Sequence, residues 1–169
     1  MKLFKSLWRD RLGAAAVEMA LVTPLLLLIL FGSVEMGNYF LDEHALRKAV
    51  RDGARYAARQ DFADYACSGS TIDSTVVSNT KTLVQKIVLS NLADDRLANW
   101  GGATFSMSMR CATTAGGETM KGIYNNSATG APVVVVSVTL PYLPVMAPFG
   151  VSLVGASLHA SEEAAVMGI

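Results

Sequence analysis

Between Ala14 and Val34 the chain runs for 21 residues with one charge, Glu18. As a helix rising about 1.5 Å per residue, such a run covers the roughly 30 Å hydrocarbon core of a bilayer. A transmembrane helix is therefore expected over residues 14–36. A cleaved secretory signal would share the basic residues that precede the run, Lys2, Lys5, Arg9 and Arg11. However, the run is long and is followed by "EMGNYFLDEHALRKAV" rather than by a small-residue cleavage pattern, so a retained anchor is the stronger reading. The chain is 51% hydrophobic and only 17% charged, against about 25% charged in ordinary soluble domains, and the skew is concentrated in this segment. Zero formal charge gives no electrostatic case for a nucleic-acid partner.

The helix is expected to continue past the membrane. No proline interrupts residues 35–60. Leu41, Ala45, Ala49 and Ala57 recur at multiples of four, and Leu46, Val50, Gly53 and Ala54 widen the same apolar stripe. Arg47, Arg51, Arg55 and Arg59 form a basic ladder on another face. That ladder could meet lipid headgroups or acidic partners, although a solvated charged face is the commoner use of the pattern. One helix from about residue 10 to about residue 60 is the result, with Pro24 as its expected kink, since proline lacks an N–H and crowds the carbonyl four residues back.

Residues 61–71, "DFADYACSGST", read as a loop holding Cys67. A second amphipathic helix is expected over about 73–91, from the spacing of Val76, Val77, Thr80, Leu83, Val84, Ile87 and Val88, with Asp73 or Ser74 as its cap. "ATFSMSMRCAT" alternates Phe105, Met107, Met109 and Cys111 with polar residues, as a half-buried strand does. "APVVVVSVTLPYL" suits a central strand buried on both faces. "VSLVGASLHASEEAAVM" reads as a last strand within 155–167, although its alanines also permit a helix. Gly-rich and Pro-rich connections separate these segments. The fold class is α+β: a long N-terminal helix, one further helix and a small antiparallel sheet. The organisation is a basic leader at 1–13, the span at 14–36, an amphipathic continuation at 37–60 and a head domain at 61–169.

Few residues are candidates for chemistry. Cys67 and Cys111 both follow the span, and on the exported side of a membrane a pair would oxidise. Closing a loop of about 45 residues contributes roughly 4 kcal/mol in the loop-entropy treatment. Two isolated cysteines do not supply a tetrahedral metal set. His44 and His159 are far apart in the chain, and no nucleophile elbow, phosphate-binding loop, zinc-protease or dinucleotide motif occurs. No enzymatic activity, cofactor or metal is expected.

The front of the chain resembles a known family. "RLGAAAVEMALVTPLLLLILFGSVEMG" followed by "ALRKAVRDGARYAAR" is similar to the N-terminal consensus of the TadE-like family, the minor pilin-like proteins of Tad (Flp) tight-adherence pili. The features that carry it are Gly13, the small residues Ala14 to Ala16, Val17, Glu18, the apolar run containing Pro24, and the "GAR" of Gly53 to Arg55. Residues 61–169 carry no diagnostic match.

The resemblance implies a pilin-like fold and cleavage of the Gly13–Ala14 bond by a membrane-embedded prepilin peptidase. It also implies a role for Glu18 in assembly, its charge answered by the free amine at Ala14 of a neighbouring subunit. Removal of residues 1–13 would leave a formal charge of −3. Basic residues flank both ends of the span, so the positive-inside rule does not choose an orientation. The resemblance implies a cytoplasmic N-terminus in the inner membrane and a periplasmic head, which could also reach the outside in a pilus. The implied partners are the prepilin peptidase, other pilin subunits, TadF/TadG-like proteins, the inner-membrane Tad platform and the membrane itself. A bitopic scaffold of the Tad machinery that never enters the filament is the first alternative. A membrane-tethered enzyme or ligand-binding domain is the second.

Overall fold

The computed structural model describes residues 11–90, 93–112, 121–125, 130–150, 153 and 155–168, with the backbone alone at 11, 12 and 14. The basic residues Lys2, Lys5 and Arg9 and much of the 113–129 connection lie outside the described residues. Two compact units divide the chain, one from Met1–Tyr39 with Pro144–Leu153 and the other from Phe40–Leu143 with Val154–Ile169. Helix α1 (Arg11–Ala58) contributes to both.

In the first unit, α1 is apolar on every side, and Val17, Leu21, Leu25, Leu28 and Leu30 are all exposed. The few hydroxyls in this stretch bond back to the helix: Thr23 Oγ1 donates to the Met19 carbonyl at 2.6 Å and Ser33 Oγ to the Ile29 carbonyl at 2.7 Å. A polar side chain satisfied in this way suits an environment without water.

In the second unit, α1 turns from large to small residues. Leu46, Ala49, Val50, Gly53, Ala54, Ala57 and Ala58 are buried, a repeat of three and four that marks one helix face. Leu41, expected on that stripe, is instead 70% exposed, and Ala45 is half-buried. Packing thus begins a turn later than the periodicity suggested. The last carbonyls of α1, which have no partner within a helix, are taken by the rest of the unit. Tyr65 Oη donates to Ala57 O at 2.5 Å, and Met167 N donates to Ala58 O at 2.8 Å. Burial pushes the Tyr65 hydroxyl far above its usual range, which keeps it a donor.

The expected loop after α1 contains a 3₁₀ turn (Phe62–Asp64) and a two-residue antiparallel pair, β1 (Tyr65–Ala66) with β2 (Thr71–Ile72). Helix α2 (Ser74–Lys86) starts where Asp73 Oδ1 accepts the Thr75 amide at 2.7 Å. It ends five residues short of the expected 91. Ile87 takes φ +74° and its amide bonds Leu83 O, a left-handed terminus that stops the helix. Ile87 and Val88, expected on the apolar face, are consequently exposed.

Strands β3 (Thr104–Ala112), β4 (Ala131–Pro141) and β5 (Ser157–Ala165) form an antiparallel sheet in that spatial order. The inward residues of β4, Val134, Val136, Val138 and Leu140, are fully buried, whereas Val133, Val135, Ser137 and Thr139 are half-buried. The expectation that β4 is buried on both faces is therefore corrected. Its outer side lies in a layer of short polar side chains, with Ser106, Ser137 and Ser161 in register and Ser137 Oγ 2.8 Å from Ser161 Oγ. The valine run reflects preference for a pleated backbone as much as burial. On the inner side, Ala57, Tyr65, Val76, Met109, Val134 and Val166 form one cluster that joins α1, α2 and the sheet.

Gly53 sets how closely α1 and α2 approach. A Cβ at this position would overlap Val84 Cγ2 and lie 3.4 Å from Thr80 Cγ2. Val84 is fully buried, and a β-branched helical side chain has little freedom to rotate away. On an exposed helix Gly→Ala gains about 1 kcal/mol; here overpacking of about 1–3 kcal/mol opposes it. Gly53→Ala is expected to lower the unfolding free energy, and Gly53→Val more so, as measured by urea unfolding.

The Asp73 cap predicts a pH dependence. The Thr75 amide holds the Asp73 carboxyl below its ordinary value of 3.8. Because the folded value is the lower one, the cap contributes fully above the unfolded value and is lost as pH falls through the folded one. The stability difference between the wild type and Asp73→Asn should shrink as pH drops below about 4, followed by thermal unfolding at a series of pH values. A difference constant with pH would refute the charged cap.

Candidate functional site

The family-like residues sit at the start of α1. Gly13 lies in its first turn with open space where a Cβ would be. Glu18 is exposed. Ala14 precedes Glu18 by four residues, so the helical backbone places the two positions one turn apart on one face. Pro24 lies within the helix, where its ring removes the amide that would otherwise bond the Ala20 carbonyl.

A second acid at the other end of the apolar run has a different environment. Glu35 is only 1% exposed. Its Oε2 accepts the amides of Val145 and Met146, at 3.1 and 2.8 Å, both in the segment that joins α1 in the first unit. The same segment makes a 3₁₀ turn (Ala147–Phe149) that sets the Phe149 ring 5.1 Å from the Phe31 ring. This segment, "PYLPVMAPFG", is one of the Pro-rich connections between strands, and its partner acid is Glu35 rather than Glu18. The available signal was an acid directly after the apolar run together with a second charge-free apolar stretch far along the chain.

Cys67 and Cys111 are bridged, with Cα atoms 5.8 Å apart, and tie the turn between β1 and β2 to β3. The basic ladder is exposed: Arg47 pairs with Glu43 at 2.6 Å and Arg51 with Glu162 at 3.4 Å. Exposed pairs of this kind contribute about 0–1 kcal/mol each. A shallow cleft is lined by Ala45, Lys48, Asp52, Ile87 and Arg96, across which Arg96 Nη1 meets Asp52 Oδ2 at 3.3 Å. His159 Nδ1 lies 3.1 Å from Thr139 Oγ1 on the outer side of the sheet, and His44 is exposed on α1. Among the described residues no group of three or more His, Cys, Asp or Glu side chains is placed to hold a metal.

These positions can be set against known proteins. Residues 13–55 match the family described as TadE-like protein. The TadE-like segment is about a quarter of the chain and coincides with the stretch whose resemblance was read from Gly13, Glu18, Pro24 and the Gly53–Arg55 tripeptide. No curated protein and no solved structure shows significant similarity to the chain. The TadE-like segment contains the long apolar part of α1, which fits a single-pass membrane protein.

The bridge spans a separation of 44 residues, and loops of that size typically yield about 2–4 kcal/mol of stabilisation. Cys67→Ser with Cys111→Ser, or reduction of the native protein, should lower the unfolding free energy by about that amount in denaturant titrations under oxidising and reducing conditions. An identical midpoint in both would show that the bridge contributes nothing.

Proposed function

We propose that the chain is a minor pilin or pseudopilin that takes part in building a Tad-type adhesion pilus. The TadE-like match supports association with that pilus and begins at Gly13, the residue at which trimming is proposed. That coincidence is the observation carrying the reading. The precursor inserts with its N-terminus in the cytoplasm and its head in the periplasm. A prepilin peptidase cuts between Gly13 and Ala14, and the subunits then associate through their N-terminal helices. Glycine favours such a cut because the absence of a Cβ lets the backbone fit closely in a protease site.

Glu18 gives the assembly its register. A carboxylate at mid-bilayer costs about 2.5–3.5 kcal/mol on insertion scales, and less near the interface. An amine freed at Ala14 stands one helical turn from Glu18, so each trimmed subunit carries a plus–minus doublet on one face. Neighbours that slide past each other until the charges match answer the acid from a second chain, and other offsets leave it only the amine of its own chain.

Intact-mass measurement of the protein from cells with and without the prepilin peptidase tests the first step; the expected mature chain begins at Ala14 only when the peptidase is present. Glu18→Leu should insert into the membrane at wild-type level yet be lost from sheared filaments. Undiminished incorporation of that variant would refute the register role, and a wild-type protein confined to the membrane fraction would favour the scaffold reading.

A further inference from the structure

The segment 144–150, "PVMAPFG", has no charged or hydrogen-bonding side chain, and Val145 and Phe149 are 50% and 62% exposed. In a soluble setting an exposed apolar loop of this kind is unfavourable. Its contacts place it elsewhere. Phe149 meets Phe31, which lies about one helical turn inside the end of the apolar run at Val34. The loop therefore sits at the depth of the last turn of the span and continues the exposed apolar surface of α1 within the same unit.

Four of the five backbone amides of residues 144–150 have protein acceptors, which suits a dry environment. Irregular backbone at membrane depth is tolerated only where its polar groups are satisfied by protein. Pro144 and Pro148 have no N–H to satisfy. The amides of Val145 and Met146 go to Glu35, and those of Phe149 and Gly150 to the carbonyls of Met146 and Ala147. Glu35, the acid nearest this depth, accepts two of those amides through Oε2.

We infer that residues 144–150 form an interfacial membrane loop, seated in the acyl–headgroup boundary on the side where α1 leaves the bilayer and held there by Glu35. A lipid occupant, rather than a protein partner, is indicated because the loop lies beside the last turn of the span and continues the exposed apolar surface of α1. The absence of any polar side chain likewise suits acyl chains better than a protein rim, which is ordinarily polar. The membrane contact then has two elements, a span and a loop. The Glu35 clamp couples them, which fixes the depth of the helix. The inference rests on the proposed membrane insertion of α1 but not on cleavage at Gly13 or on filament assembly.

The test uses the full chain in phosphatidylcholine–phosphatidylglycerol vesicles. The native cysteines are bridged, so a nitroxide can be placed at Val145→Cys, Phe149→Cys or Leu27→Cys. Collision with oxygen, which partitions into lipid, is compared with collision with a water-soluble nickel chelate. All three labels are expected to favour oxygen over nickel, with 145 and 149 shallower than 27. Adding Glu35→Ala should raise nickel accessibility at 149 severalfold and leave 27 unchanged. A lipid-like signal at 27 with water-like signals at 145 and 149 overturns this inference alone. A water-like signal at 27 overturns membrane insertion as well. Spin–spin broadening at 149 that disappears on dilution with unlabelled protein assigns the surface to a second copy and overturns the lipid reading. No change at 149 on adding Glu35→Ala overturns the clamp.

Discussion

One helix has to satisfy two different solvents, and the rest of the chain is arranged around that constraint. Along its first half, α1 exposes leucine, isoleucine and valine on all sides, which lipid accepts and water does not. Along its second half, large residues give way to Ala49, Gly53, Ala54, Ala57 and Ala58. Small residues contribute little apolar area themselves but let other elements come close. Val84 of α2 occupies the space that a side chain at Gly53 would take, and Met109 and Val134 of the sheet, with Val166 just beyond β5, join Ala57 in one cluster. The helix therefore supplies the floor of the head core, while β4 and α2 supply most of its bulk. Its C-terminal carbonyls are likewise satisfied from outside, by Tyr65 and Met167. The end of α1 is thereby tied to both sides of the chain that follows it.

How much of this could be read from sequence depended on whether the determining interaction was local. The helix and strand periods were legible because they repeat: the apolar run, the stripe of α1 from Leu46 onward and the alternation in β3 reappear in the structure. Boundaries were less legible. Helix α2 stops at Lys86 because Ile87 adopts a left-handed conformation, an outcome that its own side chain disfavours and that no glycine or proline announces. The two-sided burial expected for β4 failed for a different reason. A run of valines is compatible with both a buried and a half-buried strand, and a three-stranded sheet with helices on its inner side leaves the other face in contact with Ser106, Ser161 and their neighbours. Glu35 was the least legible of all. Its partners are backbone amides 110 and 111 residues away, and a backbone amide has no sequence signature.

The two acids of the first unit face one physical difficulty and meet it differently. Glu35 has partners within its own chain: two amides converge on its Oε2. Those contacts need no second chain. Glu18 is exposed on a helix whose surroundings are apolar, and replacement by leucine would remove an insertion cost rather than a bond of the fold. A carboxylate that is costly in lipid can be offset where a second chain brings a positive charge to it. The subunit–subunit pairing proposed for Ala14 and Glu18 is such a case. The pairing proposed for Glu18 and the contacts of Glu35 are thus two answers to that difficulty, the one between chains and the other within a chain.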